Sequence, residues 1–217
     1  MKNKVASVIL PAAAPPSAPP VFDHAEIGAR IRDARRGAGL TLAALSQRSG
    51  IAVSTISKAE RGEIALTYDK FAALARSLSL DFDRLLGRHR SVPRARPAPC
   101  FTPSGQQVIY DTPNYEYGML AADLSGKRMV PMRAHVRARR LEDFPDYIRH
   151  GGEEFVFLLR GELELCFEDA QRFRLRPGDS LYFDSSLGHV YLSCGEGDAE
   201  VLVCCAGANV DRPEDLI

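Results

Sequence analysis

The sequence contains no tryptophan. No stretch of it approaches the roughly 18 consecutive apolar residues of a membrane-spanning helix, so a helical membrane protein is excluded. Its five cysteines are odd in number and follow no metal-binding spacing, which argues against a disulfide framework or a zinc finger. Cys204 and Cys205 are neighbours in an expected strand, so their side chains point to opposite faces. The cysteines read as reduced thiols serving as small apolar residues in a cytoplasmic protein. The opening MKNKVASVIL has an apolar run of about six residues, short of the roughly 7–15 that the core of a secretory signal needs. Net charge is also lacking, with 28 basic against 28 acidic residues.

That zero conceals a strong polarity. Residues 24–90 hold 12 lysines and arginines against 7 acids, and residues 91–140 hold 8 against 3. Residues 141–217 hold 6 against 17. A basic part that meets a polyanion and an acidic part with another task follow from this split. With 217 residues, 45% of them hydrophobic, one or two domains with a real core are expected.

Residues 1–22 include PAAAPPSAPP, which builds neither a helix nor a central strand, and read as a disordered tail. Residues 23–87 read as short helices. Asp23 and Glu26 make a capping pair, and Ile27, Ile31 and Ala34 follow at helical spacing. GAGL at 37–40 breaks that helix, Thr41 caps the next, and SG at 49–50 breaks again. A short helix carries Ile56 and Ala59 and stops at Gly62. Thr67 opens a fourth helix with Phe71, Leu74, Ala75 and Leu78 on one face, and DFDRLLG ends the run at Gly87. Residues 88–106, with four prolines and four arginines, suit an extended linker. From residue 107 to 217 short alternating runs are divided by Gly, Pro and Asp, as in an antiparallel sandwich or barrel.

A helix, a tight glycine-containing turn and a second short helix make a helix-turn-helix. TLAALSQRSGIAVSTISKAERG at 41–62 resembles the Xre, lambda-repressor-like family, over about 60 residues from Ile27 to Leu86. Double-stranded operator DNA is the partner that this resemblance implies. A recognition helix needs exposed side chains near its start that reach base edges, and here those are Val53, Ser54, Ser57 and Lys58. Thr55 serves bases or phosphates. Thr41 begins a helix whose free N–H groups suit a phosphate, and Arg48 and Arg61 suit backbone contacts. The resemblance implies that Glu60 pairs with Arg35 of the first helix. Two positions depart from the family: Ala52 stands where a polar cap is common, and Val53 where glutamine is.

Residues 115–207 resemble the cupin family of small antiparallel barrels with jelly-roll topology, which makes 107–217 a sensor domain. Its first motif is two histidines one residue apart, then a glutamate, then a turn glycine. HGGEEFVFLLRG supplies His150, Glu154 and Gly161. LRPGDSLYFDSSLGH supplies the Pro177-Gly178 turn and His189 of the second motif. Ile148 stands where the first histidine belongs. Three readings of His150, Glu154 and His189 follow. They bind a divalent metal (Fe, Mn or Zn) in an open geometry, they form a polar floor for an organic effector, or they are satisfied by neighbours. His135 reads as a surface or pocket-edge residue, and Glu153 faces away from Glu154. Tyr147, Tyr182 and Tyr191 lie near the expected pocket mouth and read as packing.

Helix-turn-helix, linker and cupin together resemble a bacterial transcription regulator that works as a homodimer in the cytoplasm, without enzymatic activity. Two alternatives stay open. One is a cupin oxygenase or isomerase fused to a DNA-binding domain; the other is a DNA-binding protein whose barrel only dimerises.

Overall fold

The computed structural model describes residues 21–78, 99–124 and 127–206. The expected last helical turn at 81–87 and the linker up to residue 98 lie outside them, as does most of the tail. Helix α1 spans His24–Gly37, α2 Leu42–Ser49, α3 Val53–Glu60 and α4 Tyr68–Ser77. Asp23 caps α1 by accepting from the Ala25 N–H at 2.8 Å, while Glu26 pairs with Arg30 rather than closing a capping box. Thr41 accepts from the Ala44 N–H at 3.0 Å. Gly50 ends α2 with φ of 73°, a conformation that glycine adopts without strain. Thr67 precedes α4 without capping it through its side chain.

The helices pack by burying Ile31, Leu45, Ile56, Phe71 and Leu74. Gly28 lets α1 meet α3 closely, since a Cβ there would lie 2.3 Å from the Ala59 carbonyl oxygen. The implied ion pair is present. Arg35 Nε and Nη2 donate to the two Glu60 carboxylate oxygens at 2.6 and 2.8 Å, and both residues are buried. Arg35 Nη1 also donates to the Leu40 carbonyl, so this fork ties α3 to both ends of the α1–α2 turn. Such a pair fixes orientation more than it adds stability.

Among the described residues nine strands follow: β1 Val108–Asp111, β2 Tyr115–Met119, β3 Met129–Val136, β4 Glu153–Arg160, β5 Leu163–Phe167, β6 Arg172–Leu175, β7 Ser180–Asp184, β8 His189–Ser193 and β9 Ala199–Ala206. They form a six-stranded sheet in the order β1-β2-β3-β9-β4-β7 and a three-stranded sheet in the order β6-β5-β8. All strand pairs are antiparallel. Of the sandwich or barrel expected from the alternation, the strands make the two-sheet form and not one closed cylinder. Period-two alternation fills the space between them. Glu154, Val156 and Leu158 of β4 and Val201, Val203 and Cys205 of β9 are buried, while Glu153 faces out as expected.

The helices are seated on the β1–β2 edge. Val21 bridges Ile109, and the Phe22 N–H donates to the Ile109 carbonyl at 2.8 Å, with the Phe22 side chain buried. The last two residues of the expected tail are therefore held, because an apolar ring and a free strand edge both find partners there. The Tyr110 hydroxyl donates to the Leu66 carbonyl, and a His24 ring nitrogen lies 3.1 Å from the Asp111 carbonyl oxygen. No helix among the described residues is long and apolar enough to cross a membrane.

Candidate recognition helix and sheet pocket

Helix α3 has two faces. Ile56, Ala59 and Glu60 are buried against the other helices, whereas Val53, Ser54 and Lys58 are exposed and Thr55 and Ser57 half-buried. Ala52 supplies no side-chain cap, so the first N–H groups of α3 have no help from its cap residue. Thr41 and Arg48 are exposed on α2, on the basic part of the chain. Arg61 is engaged: its guanidinium donates to both carboxylate oxygens of Glu63 and to Ser57 Oγ. The sequence reading left Arg61 free for phosphate and Ser57 free for a base. The Glu63 carboxylate two residues on explains the difference, because a planar fork satisfies itself at the nearest carboxylate.

The second site lies between the sheets. β4 carries Glu154, β8 carries His189 and Tyr191, β9 carries Cys205, and the loop before β4 carries His150. The His150 N–H donates to the Ser185 carbonyl at 2.9 Å, which fixes the loop. All three sequence-derived residues are buried and converge on one carboxylate. Glu154 Oε2 lies 2.8 Å from His150 Nε2 and 3.6 Å from His189 Nε2, and accepts from Cys205 Sγ at 3.5 Å. Glu154 Oε1 accepts a short hydrogen bond from the Tyr191 hydroxyl.

The electrostatics follow from that crowding. Burial works to raise the Glu154 pKa, but the hydrogen bonds and charges of His150 and His189 outweigh it and hold the carboxyl well below its usual range. Burial works to lower His189, and the Glu154 carboxylate overturns this, so its net shift is upward. Burial pushes the Tyr68, Tyr115, Tyr117 and Tyr191 phenols well up, and each stays neutral.

His189 Nδ1 lies 2.8 Å from the Leu187 carbonyl oxygen. A carbonyl only accepts, so Nδ1 carries a hydrogen, and Nε2 faces Glu154 as a second N–H in the charged ring and as a lone pair, free to ligate, in the neutral one. Holding a histidine by one ring N–H on a backbone carbonyl, so that the other nitrogen faces the site, is the arrangement by which proteins orient metal ligands. His150, Glu154 and Cys205 offer donor atoms that all lie within 4.8 Å of one another. The donor set fits a divalent ion, with His189 Nε2 beside it. Ile148, at the position of the missing histidine, pairs through its backbone with His189, and its apolar side chain lines the pocket.

The cavity measures about 30 Å³, with Tyr115, Tyr117, Met132 and Val203 in its walls. Cys205 escaped the sequence reading although strand alternation places it opposite Glu154 across the β4–β9 ladder. Tyr191 was read as packing and instead anchors the carboxylate. Tyr182 is 61% exposed and lies outside the pocket. Tyr147 lies in the cleft between α4 and the sheets. Tyr68, a further pocket wall contributed by α4, had no sequence signal, since only tertiary packing brings it there.

Helices of this arrangement joined to a two-sheet β domain with a polar pocket define a two-part helix-turn-helix protein. Residues 31–85 match the family described as Helix-turn-helix, and residues 142–205 match the family described as Cupin domain. The chain thus carries a helix-turn-helix domain of the Xre-like type at 31–85 and a C-terminal cupin domain at 142–205. An HTH_3 family transcriptional regulator from Vibrio cholerae is similar in fold at 21% identity, with 85% of this chain and 96% of that chain covered and a TM-score of 0.58. The hydroxypropylphosphonic acid epoxidase from S. wedmorenis aligns at 21% identity over 84% of this chain and 98% of that one. The TM-score of that alignment is 0.44. No curated protein matches the chain.

Proposed function

We propose that the protein is a cytoplasmic, sequence-specific DNA-binding transcription regulator whose cupin domain senses a small-molecule effector. The observation that carries this reading is the asymmetry of α3. Its inner face is locked by Ile56 and the Arg35–Glu60 fork, while Val53, Ser54 and Lys58 project from a basic helical unit. A rigid helix with uncommitted donors near its start is what major-groove reading requires. Two chains associate and set two recognition helices about 34 Å apart on a pseudo-palindromic operator. Thr41 and Arg48 position the head on phosphates, Lys58 donates to a guanine edge and Ser54 or Thr55 to a neighbouring base.

The pocket supports sensing. His150, Glu154, Cys205 and His189 would hold a divalent ion, which when bound supplies a fixed positive charge to anchor an oxygen or nitrogen of the guest. The residues themselves orient that charge, exclude water and keep Glu154 ionised.

Selection of genomic fragments by the full-length protein at moderate ionic strength tests the DNA reading. Enrichment of one fragment class, lost in Ser54→Ala and Lys58→Ala, is expected; uniform binding to bulk DNA refutes it. Elemental analysis and native mass spectrometry of the purified protein identify a bound ion or guest. The double variant His150→Ala with His189→Ala should bind the operator normally but ignore effector, whereas a normal response would move the sensing site elsewhere. Turnover assays with added Fe or Mn separate this reading from a cupin enzyme.

A further inference from the structure

Tyr68 stands on the first turn of α4, in the helical unit, yet its ring walls the pocket between the sheets. It meets His150 edge-on, with 4.7 Å between ring centroids, and shares the pocket lining with Cys205. As a whole residue Tyr68 is half-buried, and the phenol end is the part sealed inside.

The space left beside that ring is about 30 Å³, room for an ion or one to two waters but for no organic molecule. A second cavity of about 160 Å³ lies between Thr67, Asp69 and Lys70 at the α4 start and the loop 144–149. Ile148 belongs to the walls of both. A single aromatic ring needs on the order of 150 Å³. The Tyr68 ring fills volume beside Glu154 that a guest of that size needs.

The joint is built to open. Thr67 Oγ1 and Asp69 Oδ1, on either side of Tyr68 in sequence, are buried without a hydrogen-bond partner. Burying unpaired polar atoms costs free energy, so the docked α4 start is held less tightly than its apolar contacts alone provide. Helix α4 packs on α2, and α2 packs on α3, so a shift at Tyr68 has a contiguous route to the recognition helix.

We propose that Tyr68 is the internal occupant of the pocket, and that the effector is a small phenol-type molecule, one ring with a hydroxyl, that displaces it. The vacated seat has the shape of a tyrosine side chain: an imidazole edge at His150, a polar end at Cys205, and flanks of Tyr117 and Met132. This inference rests on the sensor reading of the pocket and adds the guest's chemical class and its route to the DNA.

The test uses the full-length protein, with p-cresol, the tyrosine side chain itself, as probe and toluene as its hydroxyl-free counterpart. Calorimetry gives affinity, and amide hydrogen exchange over residues 67–78 reports α4. Tyr68→Ala should bind p-cresol at least ~10-fold tighter than wild type, because the competing occupant is gone. Toluene should bind that variant more weakly than p-cresol. In wild type, saturating p-cresol should speed exchange over 67–78. Equal p-cresol affinity in wild type and Tyr68→Ala, or unchanged exchange, overturns the proposal. Should Tyr68→Ala fail to fold, Tyr68→Phe keeps the ring and loses the hydroxyl at the polar end of the seat. It should bind p-cresol tighter than wild type, and equal affinity overturns the proposal. Operator selection with no p-cresol effect sinks this inference alone. A p-cresol effect without selection of any fragment sinks the regulator reading alone.

Discussion

The recognition helix and the sheet pocket handle polar groups in opposite ways. Around α3 the charges face water, and the one buried charged pair is a two-pronged fork with every carboxylate oxygen engaged. In the pocket one carboxylate gathers two imidazoles, a phenol and a thiol in a volume shut off from water. The first arrangement holds a shape and leaves its chemistry outside for a partner to find. The second concentrates its chemistry inside, where a partner must gain entry. A protein that reads one molecule and answers another needs both.

The helical side breaks most easily at the fork. Glu60→Ala leaves the Arg35 guanidinium buried and unpaired, and should cost about 3–5 kcal/mol of stability, read as a lowered urea midpoint. An unchanged midpoint would mean that α3 is not oriented by this pair. Smaller in free energy and larger in consequence, Lys58→Ala should cost about 1–3 kcal/mol of operator binding, measured by titration against the selected fragment. Stability should stay at the wild-type level, which separates outward chemistry from inward support.

The sheet side is sharpened by pH. On β9, Glu200 accepts from Arg133 of β3 and is held below the usual carboxylate range by that hydrogen bond, against the opposing effect of burial. A depressed folded value means stability that is present above the ordinary carboxylate pKa of about 4.3 and lost as pH falls through the folded value. Arg133→Ala should therefore destabilise at pH 7, with the gap from wild type closing below about pH 4. A gap that persists in acid would assign the loss to packing. The smallest effect concerns Arg61. Glu63→Gln weakens the Glu63 pairing and should steepen the salt dependence of DNA binding by about one unit of slope, through one added phosphate contact.

What could be read in the chain sorts by the range of the physics. Capping, glycine breaks and period-two alternation are local, so Thr41, Gly50, Gly161 and the strands from Val108 onward stand where their sequence placed them. His150, Glu154 and His189 were legible through motif spacing, and they do converge. Cys205 was half legible: its buried face followed from alternation, but its place opposite Glu154 depended on the β4–β9 register. The Arg61–Glu63 pair was not legible, because side-chain pairing two residues apart in a turn leaves no periodic trace. Phe22 and Tyr68 were invisible, since each acts across the joint between helices and sheets.

The lack of tryptophan noted at the outset has an optical consequence. The chain's near-ultraviolet emission comes from seven tyrosines, and four of them, Tyr68, Tyr115, Tyr117 and Tyr191, ring the same carboxylate and imidazoles. Any guest that shifts a hydroxyl there alters the brightness of more than half of the chromophores at once, so the native protein carries its own lamp for watching its interior fill.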